Sequence, residues 1–432
     1  MKILLVKPRW FVHGGQYRYL EHVRFTPLSL GILASLSPGH DVRIVDGDWE
    51  KVPTNEKFDL VGITATTFTS ERAFGLADEF RKGGSTVVMG GVHPTIMPDE
   101  CLAHSDAVVV GEAEYVWKDV LAAAEKGTLD GVYKADRLTD MDDVPFPRRD
   151  LLGEPTWFAT VQATRGCPNA CKYCYLPSVS WRVFRKRSPA LVKDEIASLK
   201  QRLLFFVDDN LFADRDYAIS IFKAIAPLKK TWSIQAPTTI GDDDELLDEM
   251  AKAGCFNVQL GFQSVNKKSL EWAAVSHNTV GKYSTLVKKL HDRNILATGF
   301  FIFGFDTDGP DSFDGTVEMI RAIDLDDANL YILTPYPGTE LYAQFKKDDR
   351  LLPGKSRFEF GWSHAVFQPK LLTPEELEKG VQKAYDSLYP YFRRRLARAL
   401  LKRWWLLVTN PRLTGILVSG TLRRASVRKI PE

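Results

Sequence analysis

The hydrophobic positions of the first 140 residues follow two alternating periodicities. Short apolar, β-branched runs predict buried strands, and the stretches between them repeat their apolar residues at helical spacing. The predicted strands are Lys2–Lys7, Val42–Asp46, Leu60–Thr66, Thr86–Gly90 and Ala107–Gly111, and the predicted helices are Leu28–Leu36, Glu71–Arg81 and Tyr115–Ala124. Strands that alternate with helices indicate a parallel sheet covered on both faces. We therefore expect a five-stranded, doubly wound domain over residues 1–140, with its ligand in loops at the carboxyl ends of the strands.

A second β/α array follows a charged, proline-containing stretch, Asp136–Pro155, which predicts a linker over residues 141–155. The predicted strands of this array are Phe158–Ala163, Leu203–Val207, Trp232–Ala236, Asn257–Leu260, Ala297–Phe303 and Asn329–Leu333, and its helices include Leu191–Leu199, Asp243–Ala253 and Ser312–Ile323. Six β/α units predict a barrel or partial barrel over residues 156–345. Its active site is again expected at the carboxyl ends of the strands.

The β/α repetition then stops, and residues 346–432 are predicted to be a helical region with helices at Pro374–Tyr389 and Tyr391–Val408. From Arg393 onward the charged residues are basic with one exception, and they are interleaved with tryptophan and leucine. Such a helix can lie at a membrane surface and contact anionic lipid. Alternatively, it packs on the barrel through Trp404, Leu406 and Leu407. Peripheral membrane contact and a docked helix both remain open at this point.

The composition is that of an ordinary globular protein, with 432 residues, 44% of them hydrophobic and 26% charged. A formal net charge of +2 gives no reason to expect a nucleic-acid partner. The first apolar run ends at Pro8, which is too short for a secretion signal, and no run of about 18 uncharged apolar residues predicts a membrane span. We therefore expect a cytoplasmic protein in a reducing compartment, whose five cysteines do not form a disulfide framework.

Three of the cysteines, Cys167, Cys171 and Cys174, lie directly after the first strand of the second array. Three thiolates at the mouth of a barrel can converge on one metal centre, and soft sulfur ligands suit an iron–sulfur cluster or zinc. Because a closed structural site usually takes four protein ligands, three of them leave one coordination position for a small molecule. Two alternatives remain open. One is a zinc site completed by His277 or Cys255, and the other is a redox pair formed by Cys171 and Cys174.

The segment TRGCPNACKYC, which ends at Cys174, resembles the signature of the radical S-adenosylmethionine (SAM) superfamily, because it combines CxxxCxxC spacing with an aromatic residue before the last cysteine. The resemblance covers most of residues 158–342. It implies a 4Fe-4S cluster on Cys167, Cys171 and Cys174, with SAM bound to the fourth iron and cleaved to a 5′-deoxyadenosyl radical. It also implies that Tyr173 lies near the adenine and that an external electron donor, such as flavodoxin or ferredoxin, reduces the cluster.

Other positions of the second array resemble SAM-binding segments of that superfamily. Asp208, Asp209 and Asn210 follow the second strand, where the family places polar groups that bind the amino group of SAM. Gln263 and Ser264 follow the fourth strand and resemble a Gly-x-Glu-Ser motif with glutamine in place of glutamate. Because an amide donates as well as accepts hydrogen bonds, the ribose or methionine contact at this position stays open. The remaining family-like positions are Gly304, Asp306 and the turn at residues 336–340.

Three loops at the strand ends of the first domain carry small or polar residues. They contain Thr64 and Thr66, then Gly90, Gly91 and His93, and finally Glu112. Adjacent glycines let a ligand approach the backbone closely, and the lack of GxGxxG after the first strand argues against a nicotinamide dinucleotide. In order, GGVHPTIMPDE and DAVVVGEAE resemble the cobalamin-binding domain that precedes the radical domain in one large subfamily, over about residues 2–124. That resemblance puts the nucleotide tail of cobalamin near the threonines and glycines, and the corrin near His93 and Glu112.

The lower cobalt ligand is not predicted by the sequence. The Asp-x-His-x-x-Gly motif that supplies it in many cobalamin proteins is missing, and the resembled subfamily often has no histidine at that position. His13, in the loop after the first strand, is a candidate ligand, although an imidazole on a loop is more often a simple polar contact. The isolated residues Cys101 and Cys255 are interpreted as small buried apolar side chains.

Together, the two resemblances predict an α/β fold with a Rossmann-like cobalamin-binding domain, a radical SAM partial (β/α)6 barrel and a helical C-terminal region. They imply a cobalamin-dependent radical SAM enzyme that methylates an unactivated carbon. The alternatives are an oxidative cyclase or rearrangement enzyme with the same cofactors, and a non-catalytic corrinoid or metal-binding module. A methylthiotransferase acting on transfer RNA is disfavoured, because it needs three more cysteines in its first domain. The expected substrate is a small molecule, with a lipid or other hydrophobic metabolite preferred because of the basic, aromatic tail.

Overall fold

The first half of the chain is a parallel sheet with helices on both faces, in a computed structural model that describes residues 1–10, 25–153, 157–180 and 182–402. Its strands are β1 (Lys2–Lys7), β2 (Asp41–Asp46), β3 (Leu60–Thr64), β4 (Thr86–Gly90), β5 (Ala107–Val110) and β6 (Gly131–Lys134), in the order β2-β1-β3-β4-β5-β6. Its helices are α1 (Leu28–Ser35), α2 (Ser70–Lys82), α3 (Val92–Ile96), α4 (Pro98–Leu102) and α5 (Trp117–Glu125). One face of the sheet packs on α2 and the other on α1 and α5, which confirms the doubly wound architecture.

The sixth strand, β6, was missed by the prediction of five strands, which is wrong on this point. The side chains of β6 alternate between half-buried and exposed, because the strand lies at the edge of the sheet and pairs with β5 alone among the described strands. An edge strand with little buried surface does not need the continuous apolar run that marks a central parallel strand. The sequence signal for β6 is therefore weak.

The second half of the chain contains a larger sheet and a short two-stranded ladder. Its strands are β7 (Phe158–Val161), β8 (Thr164–Arg165), β9 (Arg185–Lys186), β10 (Leu203–Phe206), β11 (Thr231–Pro237), β12 (Cys255–Gln263), β13 (Leu296–Phe303) and β14 (Asp327–Ile332). Six of them form a parallel sheet in the order β14-β13-β12-β11-β10-β7, and β8 pairs with β9 in the antiparallel direction. Within the described residues β7 and β14 do not pair with each other, so the barrel is open, as the partial barrel prediction requires.

Nine helices accompany these strands in the part of the chain that the structure describes. They are α6 (Leu176–Ser180), α7 (Pro189–Ser198), α8 (Arg215–Ile225), α9 (Asp244–Lys252), α10 (Lys267–Trp272), α11 (Tyr283–Asp292), α12 (Asp311–Ala322), α13 (Glu340–Lys347) and α14 (Pro374–Lys402). The two helices predicted on either side of Pro390 are a single helix, so that prediction was wrong. Proline inside a helix costs about 3 kcal/mol. Burial of Leu377, Val381 and Leu388 against the barrel offsets this cost.

The predicted linker packs against the first domain. Met141 and Val144 form a small buried cluster with Ile32 of α1, and the guanidinium of Arg187 donates a hydrogen bond to the carbonyl of Val144 at 2.9 Å. The segment therefore holds the two halves in one arrangement. Residues 154–156 of the predicted linker lie outside the described residues.

Several positions discussed above fall outside the described part of the chain. They are His13 and the tail residues Trp404, Leu406 and Leu407. The two hypotheses for the tail, membrane contact and docking on the barrel, thus concern a segment for which no contacts are described. Across the residues that the structure does describe, no helix has both the length and the apolar character needed to cross a bilayer.

Candidate functional site

The clustered cysteines lie in the loop between β8 and α6, which we call the cysteine loop (residues 166–175). Cys167, Cys171 and Cys174 are free, half-buried thiols, and the hydroxyl of Tyr173 is hydrogen-bonded to Cys171. Burial, reinforced by the neighbouring thiolates, raises the pKa of the Cys171 thiol to about 11 and that of the Cys174 thiol to about 12. Since three adjacent thiolates repel one another, the loop fits a positively charged partner such as the iron of a cluster.

The alternative of a zinc site completed by Cys255 is not supported. Cys255 begins β12, so it lies at the end of the parallel sheet opposite to the cysteine loop, and its thiol donates to the carbonyl of Asn257 at 3.6 Å. Cys255 and Cys101 are both buried, as predicted. Among the described residues, no three His, Cys, Asp or Glu side chains are arranged to hold a single metal ion. A 4Fe-4S cluster offers a separate iron to each thiolate, so its ligands need not converge on one point.

Two acidic residues after β10 hold the backbone next to the cysteines. One carboxylate oxygen of Asp208 accepts hydrogen bonds from the backbone N–H of Ala163 at 3.0 Å and from the hydroxyl of Thr164 at 2.7 Å. Asp209 accepts from the N–H of Gly166 at 2.8 Å. Burial raises the pKa of Asp208 to about 7 and also raises the pKa of Asp209. Asp208 therefore holds the segment that leads into the cysteine loop, and Asp209 holds the first residue of that loop.

Asn210, the third predicted polar residue after β10, touches the cysteine loop directly. Its side-chain Nδ2 donates to the Sγ of Cys167 at 3.6 Å. The Oδ1 of Asn210 and the second oxygen, Oδ2, of Asp208 are buried acceptors without a hydrogen-bond partner among the described residues. A buried acceptor that lacks a partner costs about 1–3 kcal/mol. This corner thus fits a ligand that brings hydrogen-bond donors, as an ammonium group does.

Gln263 and Ser264, at the end of β12, line a smaller cavity of about 220 Å³ together with Asp308. Gln263 has a φ of +65°, in the left-handed region that a side chain other than glycine adopts at a cost. Ser264 has a local role, because its hydroxyl accepts from the N–H of Asn266 at 3.0 Å. Gln263 is therefore held in a strained conformation beside a cavity, which is common at functional sites.

Gly304 and Asp306, after β13, have structural explanations. Gly304 has a φ of +103°, and a Cβ there would lie 2.9 Å from the Cδ2 of Leu377. Asp306 forms ion pairs with Arg350 and Lys370, each at 2.8 Å. These contacts place Gly304 in a tight turn and Asp306 in a charged cluster.

The turn at residues 336–340 is also built by local chemistry. Gly338 has a φ of +79°, and the hydroxyl of Thr339 caps α13 by accepting from the N–H of Tyr342 at 3.1 Å. The hydroxyl of Ser178, in α6, donates to the carbonyl of Gly338 at 2.7 Å. The turn thereby supports the helix that follows the cysteine loop.

A cavity of about 490 Å³, which we call the interdomain cavity, lies between the two halves of the molecule. Its lining from the first half includes Leu30, Gly62, Thr64, Val88, Gly90, Gly91, Thr95, Gly111, Glu112, Glu114 and Trp117. Its lining from the second half includes Gln162, Arg165, Tyr175, Leu176, Val179, Arg185 and Asp209. The end inside the first domain is apolar, and the end near the cysteine loop is charged.

Four predicted residues of the first domain line this cavity, namely Thr64, Gly90, Gly91 and Glu112. Gly91 has a φ of +103°, and a Cβ there would lie 2.7 Å from the Oγ1 of Thr64. Thr95 ties the loops together, since its hydroxyl donates to the carbonyl of Gly91 at 2.7 Å and accepts from the N–H of Gly111 at 2.9 Å. The glycines therefore form a narrow cradle that a larger residue would fill.

Thr66 and His93 do not line the cavity. The backbone N–H of Thr66 donates to the hydroxyl of Thr69 at 3.0 Å, in a capping box beyond the end of β3. Because α3 presents Val92 and Thr95 to the cavity, His93 points to the other side, where its Nε2 lies 3.4 Å from Glu100. Burial lowers the pKa of His93 to about 4. The structure thus places both residues outside the lining of the cavity, where they support its loops.

Glu112 is the most strongly paired of the predicted residues. Arg185 donates to both of its carboxylate oxygens, at 2.7 and 2.6 Å, and the N–H of Thr139 donates at 2.9 Å. Burial opposes the charge, but the hydrogen bond from Arg185 and the charge of Arg165 prevail and lower the pKa of Glu112 to about 2. Sequence reasoning did not single out either arginine. The position of Arg165 next to the cysteine signature was the available signal.

Two family models match the chain in the regions that build this site. The model described as the Radical SAM superfamily matches residues 161–320, which include the cysteine loop. The model described as the B12 binding domain matches residues 26–121, which include the glycine cradle.

Curated relatives align with most of the chain. The chain is 30% identical over 385 residues to the bacteriochlorophyllide d C-12(1)-methyltransferase of Chlorobaculum tepidum, covering 84% of this chain and 82% of the relative. It is 27% identical over 374 residues to the anaerobic magnesium-protoporphyrin IX monomethyl ester cyclase of Rubrivivax gelatinosus, covering 77% of this chain and 64% of the relative.

A solved structure has the same fold. The radical SAM methyltransferase TsrM of Kitasatospora setae, with cobalamin and a 4Fe-4S cluster bound, matches with a TM-score of 0.68 at 17% identity. The match covers 90% of this chain and 89% of TsrM. At this identity the likeness establishes the fold alone.

Proposed function

Because the chain belongs to the radical SAM superfamily, in the branch that also carries a B12-binding domain, we propose that it methylates an unactivated carbon of a small molecule. The protein is an enzyme of this class, and the cofactors of the class are a 4Fe-4S cluster, SAM and cobalamin. When bound, the cluster and SAM supply a radical that removes hydrogen from carbon, and methylcobalamin supplies the methyl group.

The interdomain cavity is the observation that carries this proposal. Thr64, Gly90 and Gly91 line it from the first domain, and Arg165, two residues before Cys167, lines it from the second. A ligand that enters from the glycine cradle therefore ends beside the cysteine loop. Holding two reactive groups at one site is how an enzyme replaces a rare encounter with a positioned one.

We assign Cys167, Cys171 and Cys174 as the ligands of the 4Fe-4S cluster. The half-buried position of their thiols and the carboxylates of Asp208 and Asp209, which fix the adjacent backbone, support this assignment. Because the backbone is already held, little conformational entropy is lost when the three thiolates bind a cluster. Burial also excludes water from one side of them.

For SAM, we propose that the unpartnered oxygens of Asn210 and Asp208 accept hydrogen bonds from its amino group. Both atoms are buried and lack partners among the described residues, and the side chain of Asn210 also donates to the Sγ of Cys167. Tyr173, hydrogen-bonded to Cys171, would pack near the adenine, and Gln263 would contact the ribose or the methionine carboxylate. Asp209, Ser264 and Gly304 would act indirectly, by shaping these loops.

For cobalamin, we propose that the apolar end of the interdomain cavity takes the nucleotide tail. The cradle of Gly90 and Gly91, the hydroxyl of Thr64 and the indole of Trp117 all line that end. Glu112, held in place by its ion pair with Arg185, would lie beside the corrin. Thr66 and His93 would support the loops from outside the cavity. Among the described residues that line the cavity there is no histidine.

For the substrate, we propose a small molecule with a flat apolar part. Trp10, Phe68 and Trp362 pack mutually with ring centroids 5.2 to 5.6 Å apart. Tyr331 lies 5.9 Å from Trp362, and Phe300 lies 5.8 Å from Tyr331. We call these five residues the aromatic cluster. All are half-buried, and they come from loops of the first domain, from β13 and β14 of the second sheet and from the segment before α14, which suits a surface that contacts a ring system.

The aromatic cluster also fits the names of the two curated relatives, which are a methyltransferase of a bacteriochlorophyllide and a cyclase of a protoporphyrin ester. A tetrapyrrole is thus one substrate with the expected shape, and a lipid with fused rings is another. We further propose that a one-electron carrier of the flavodoxin or ferredoxin type reduces the cluster. Peripheral membrane contact through the basic tail stays a proposal that rests on the sequence of residues 403–432.

The test uses full-length protein reconstituted anaerobically with iron, sulfide and hydroxocobalamin. The protein is given a reductant, SAM with a deuterated methyl group, and extract of cells that lack the gene. We expect 5′-deoxyadenosine together with a product that carries the labelled methyl group. Replacement Cys167→Ala should abolish both products, whereas the matched replacement Cys101→Ala should preserve them.

The cyclase relative supports a second candidate function, oxidative ring formation with the same cofactors. The same assay separates the two. A product that forms with 5′-deoxyadenosine but contains no labelled methyl group would favour the cyclase. Bound cobalamin and cluster without any turnover of SAM would instead favour a non-catalytic module.

A further inference from the structure

Four charged side chains from the two halves of the molecule form one ion-pair network at the charged end of the interdomain cavity. Arg165 pairs with Glu112 at 3.3 Å and with Glu114 at 2.7 Å, and Arg185 pairs with Glu112 at 2.6 Å. None of the four side chains is more than 16% exposed, and all of them line the cavity. The network is therefore part of the cavity wall at the end where Tyr175 of the cysteine loop also lines the cavity.

Arg165 forms two of the three ion pairs in this network and lies two residues before the first cysteine, Cys167. The next residue, Gly166, has a φ of +90°, and a Cβ there would lie 2.0 Å from the carbonyl oxygen of Val183. The N–H of Gly166 is also held by Asp209. Because the backbone between Arg165 and Cys167 has so little freedom, a displacement of Arg165 displaces Cys167.

We propose that Arg165 is a positioning residue that couples occupancy of the interdomain cavity to the position of the cysteine loop. The inference rests on the proposed function, in which the cavity takes cobalamin and the loop takes the cluster. A ligand that fills the cavity removes water from the pairs of Arg165 with Glu112 and Glu114, and ion pairs strengthen as the surrounding dielectric falls. The strengthened ion pairs of Arg165 then fix the cysteine loop in the arrangement that the cluster needs.

The coupling also acts in the opposite direction. A cluster on Cys167 immobilises the cysteine loop and with it Arg165 in the cavity wall. Less conformational entropy is then lost when a ligand binds in the cavity. Thermodynamic linkage requires each ligand to raise the affinity for the other by the same factor. The affinity for cobalamin should therefore depend on whether the cluster is present.

The experiment measures the dissociation constant of hydroxocobalamin by anaerobic equilibrium dialysis of the full chain, with and without the reconstituted cluster. For the natural protein we expect binding to be at least about fivefold tighter with the cluster, in the usual range of coupling between sites. In Arg165→Gln the ratio of the two constants should fall to near one. In cluster-free protein, hydroxocobalamin should protect residues 163–187 from hydrogen exchange, and this protection should be lost in the variant.

Two further variants separate coupling from simple stability. Arg148→Gln removes the same charge from an exposed pair with Asp150 and should keep the natural ratio. Glu114→Gln removes the 2.7 Å partner of Arg165 from the other domain, and it should lower the ratio even if Arg165→Gln fails to fold. Equal affinity of the natural protein with and without cluster would overturn the inference. So would an Arg165→Gln variant that binds more weakly in both states at an unchanged ratio.

The outcome for the proposed function is read separately. Natural protein that does not bind hydroxocobalamin at all would contradict the proposed function. Binding at a cluster-independent affinity would contradict only the role of Arg165. Neither measurement requires the substrate.

Discussion

The side-chain amide of Asn210 donates a hydrogen bond to the Sγ of Cys167 at 3.6 Å. Asn210 follows β10, whereas Cys167 follows β7 and β8, so the contact joins neighbouring strands at their carboxyl ends. Hydrogen bonds to the sulfurs of a cluster are among the factors that set its reduction potential. The contact thus gives the chain a direct means of tuning the group that we assign to Cys167.

Replacement Asn210→Ala should lower the reduction potential of the cluster by tens of millivolts. The amide dipole stabilises the extra negative charge of the reduced cluster, and its loss makes reduction harder. Anaerobic redox titration followed by electron paramagnetic resonance measures the shift. Asn266→Ala, which removes the cap of α10, is the control and should leave the potential unchanged. An unaltered potential in Asn210→Ala would show that the amide does not act on the cluster.

Replacement Gly91→Ala should weaken cobalamin binding and reduce stability. Gly91 has a φ of +103°, and the new Cβ would lie 2.7 Å from Thr64 and 2.9 Å from the carbonyl of Ala65. Strain of this kind costs about 1–3 kcal/mol. Thermal unfolding and hydroxocobalamin dialysis measure the two effects. Gly75→Ala, in α2 with no atom within 4 Å of the new Cβ, is the matched control and should be neutral or slightly stabilising.

Replacement Glu112→Gln should change how stability depends on pH. The pKa of Glu112 is lowered from 4.5 to about 2, so its ionised form contributes stability above pH 4.5 that is lost as the pH falls toward 2. The free energy of unfolding of the natural protein should therefore exceed that of the variant by about 3 kcal/mol at neutral pH, and this difference should shrink as the pH falls toward 2. Urea unfolding across this pH range measures the difference. A difference that does not change with pH would contradict the assignment. The control is Asp150→Asn, in an exposed pair with Arg148, which should lower the free energy of unfolding by at most about 1 kcal/mol.

Much of the fold follows from local patterns in the sequence. The strands predicted at Lys2–Lys7 and Thr86–Gly90 have the bounds that the structure gives, because the middle of a central parallel strand is a continuous apolar run. The edge strand β6 lacks such a run and was missed. The helix through Pro390 was divided in two, because the contacts that outweigh a proline come from distant parts of the chain.

The site shows the same division between local and distant information. The signature of the cysteine loop is contiguous, so its residues could be named in advance. The position of His93 could not, because it depends on which face of α3 meets the cavity. Arg185 was missed for a related reason, since its partner Glu112 lies 73 residues away in the sequence. Pairing across a domain boundary leaves no periodic signal in a single sequence.

The last prediction concerns Trp362, whose replacement should weaken substrate binding with little effect on turnover. Trp362 contacts Trp10, Phe68 and Tyr331. Its φ of +68° lies in the left-handed region, so the packed position of the ring is accompanied by backbone strain. Trp362→Leu keeps an apolar side chain but removes the flat surface, and a loss of about 1.4 kcal/mol corresponds to a tenfold higher KM.

The measurement is the initial rate of labelled product formation against the concentration of the substrate identified in the methylation assay. A raised KM at unchanged kcat indicates a contact made equally before and during the reaction. Phe146→Leu is the control, because Phe146 is 39% exposed and lies beside Arg187, outside the aromatic cluster. If both replacements raise KM equally, the effect comes from general destabilisation. If neither does, the substrate does not rest on the aromatic cluster.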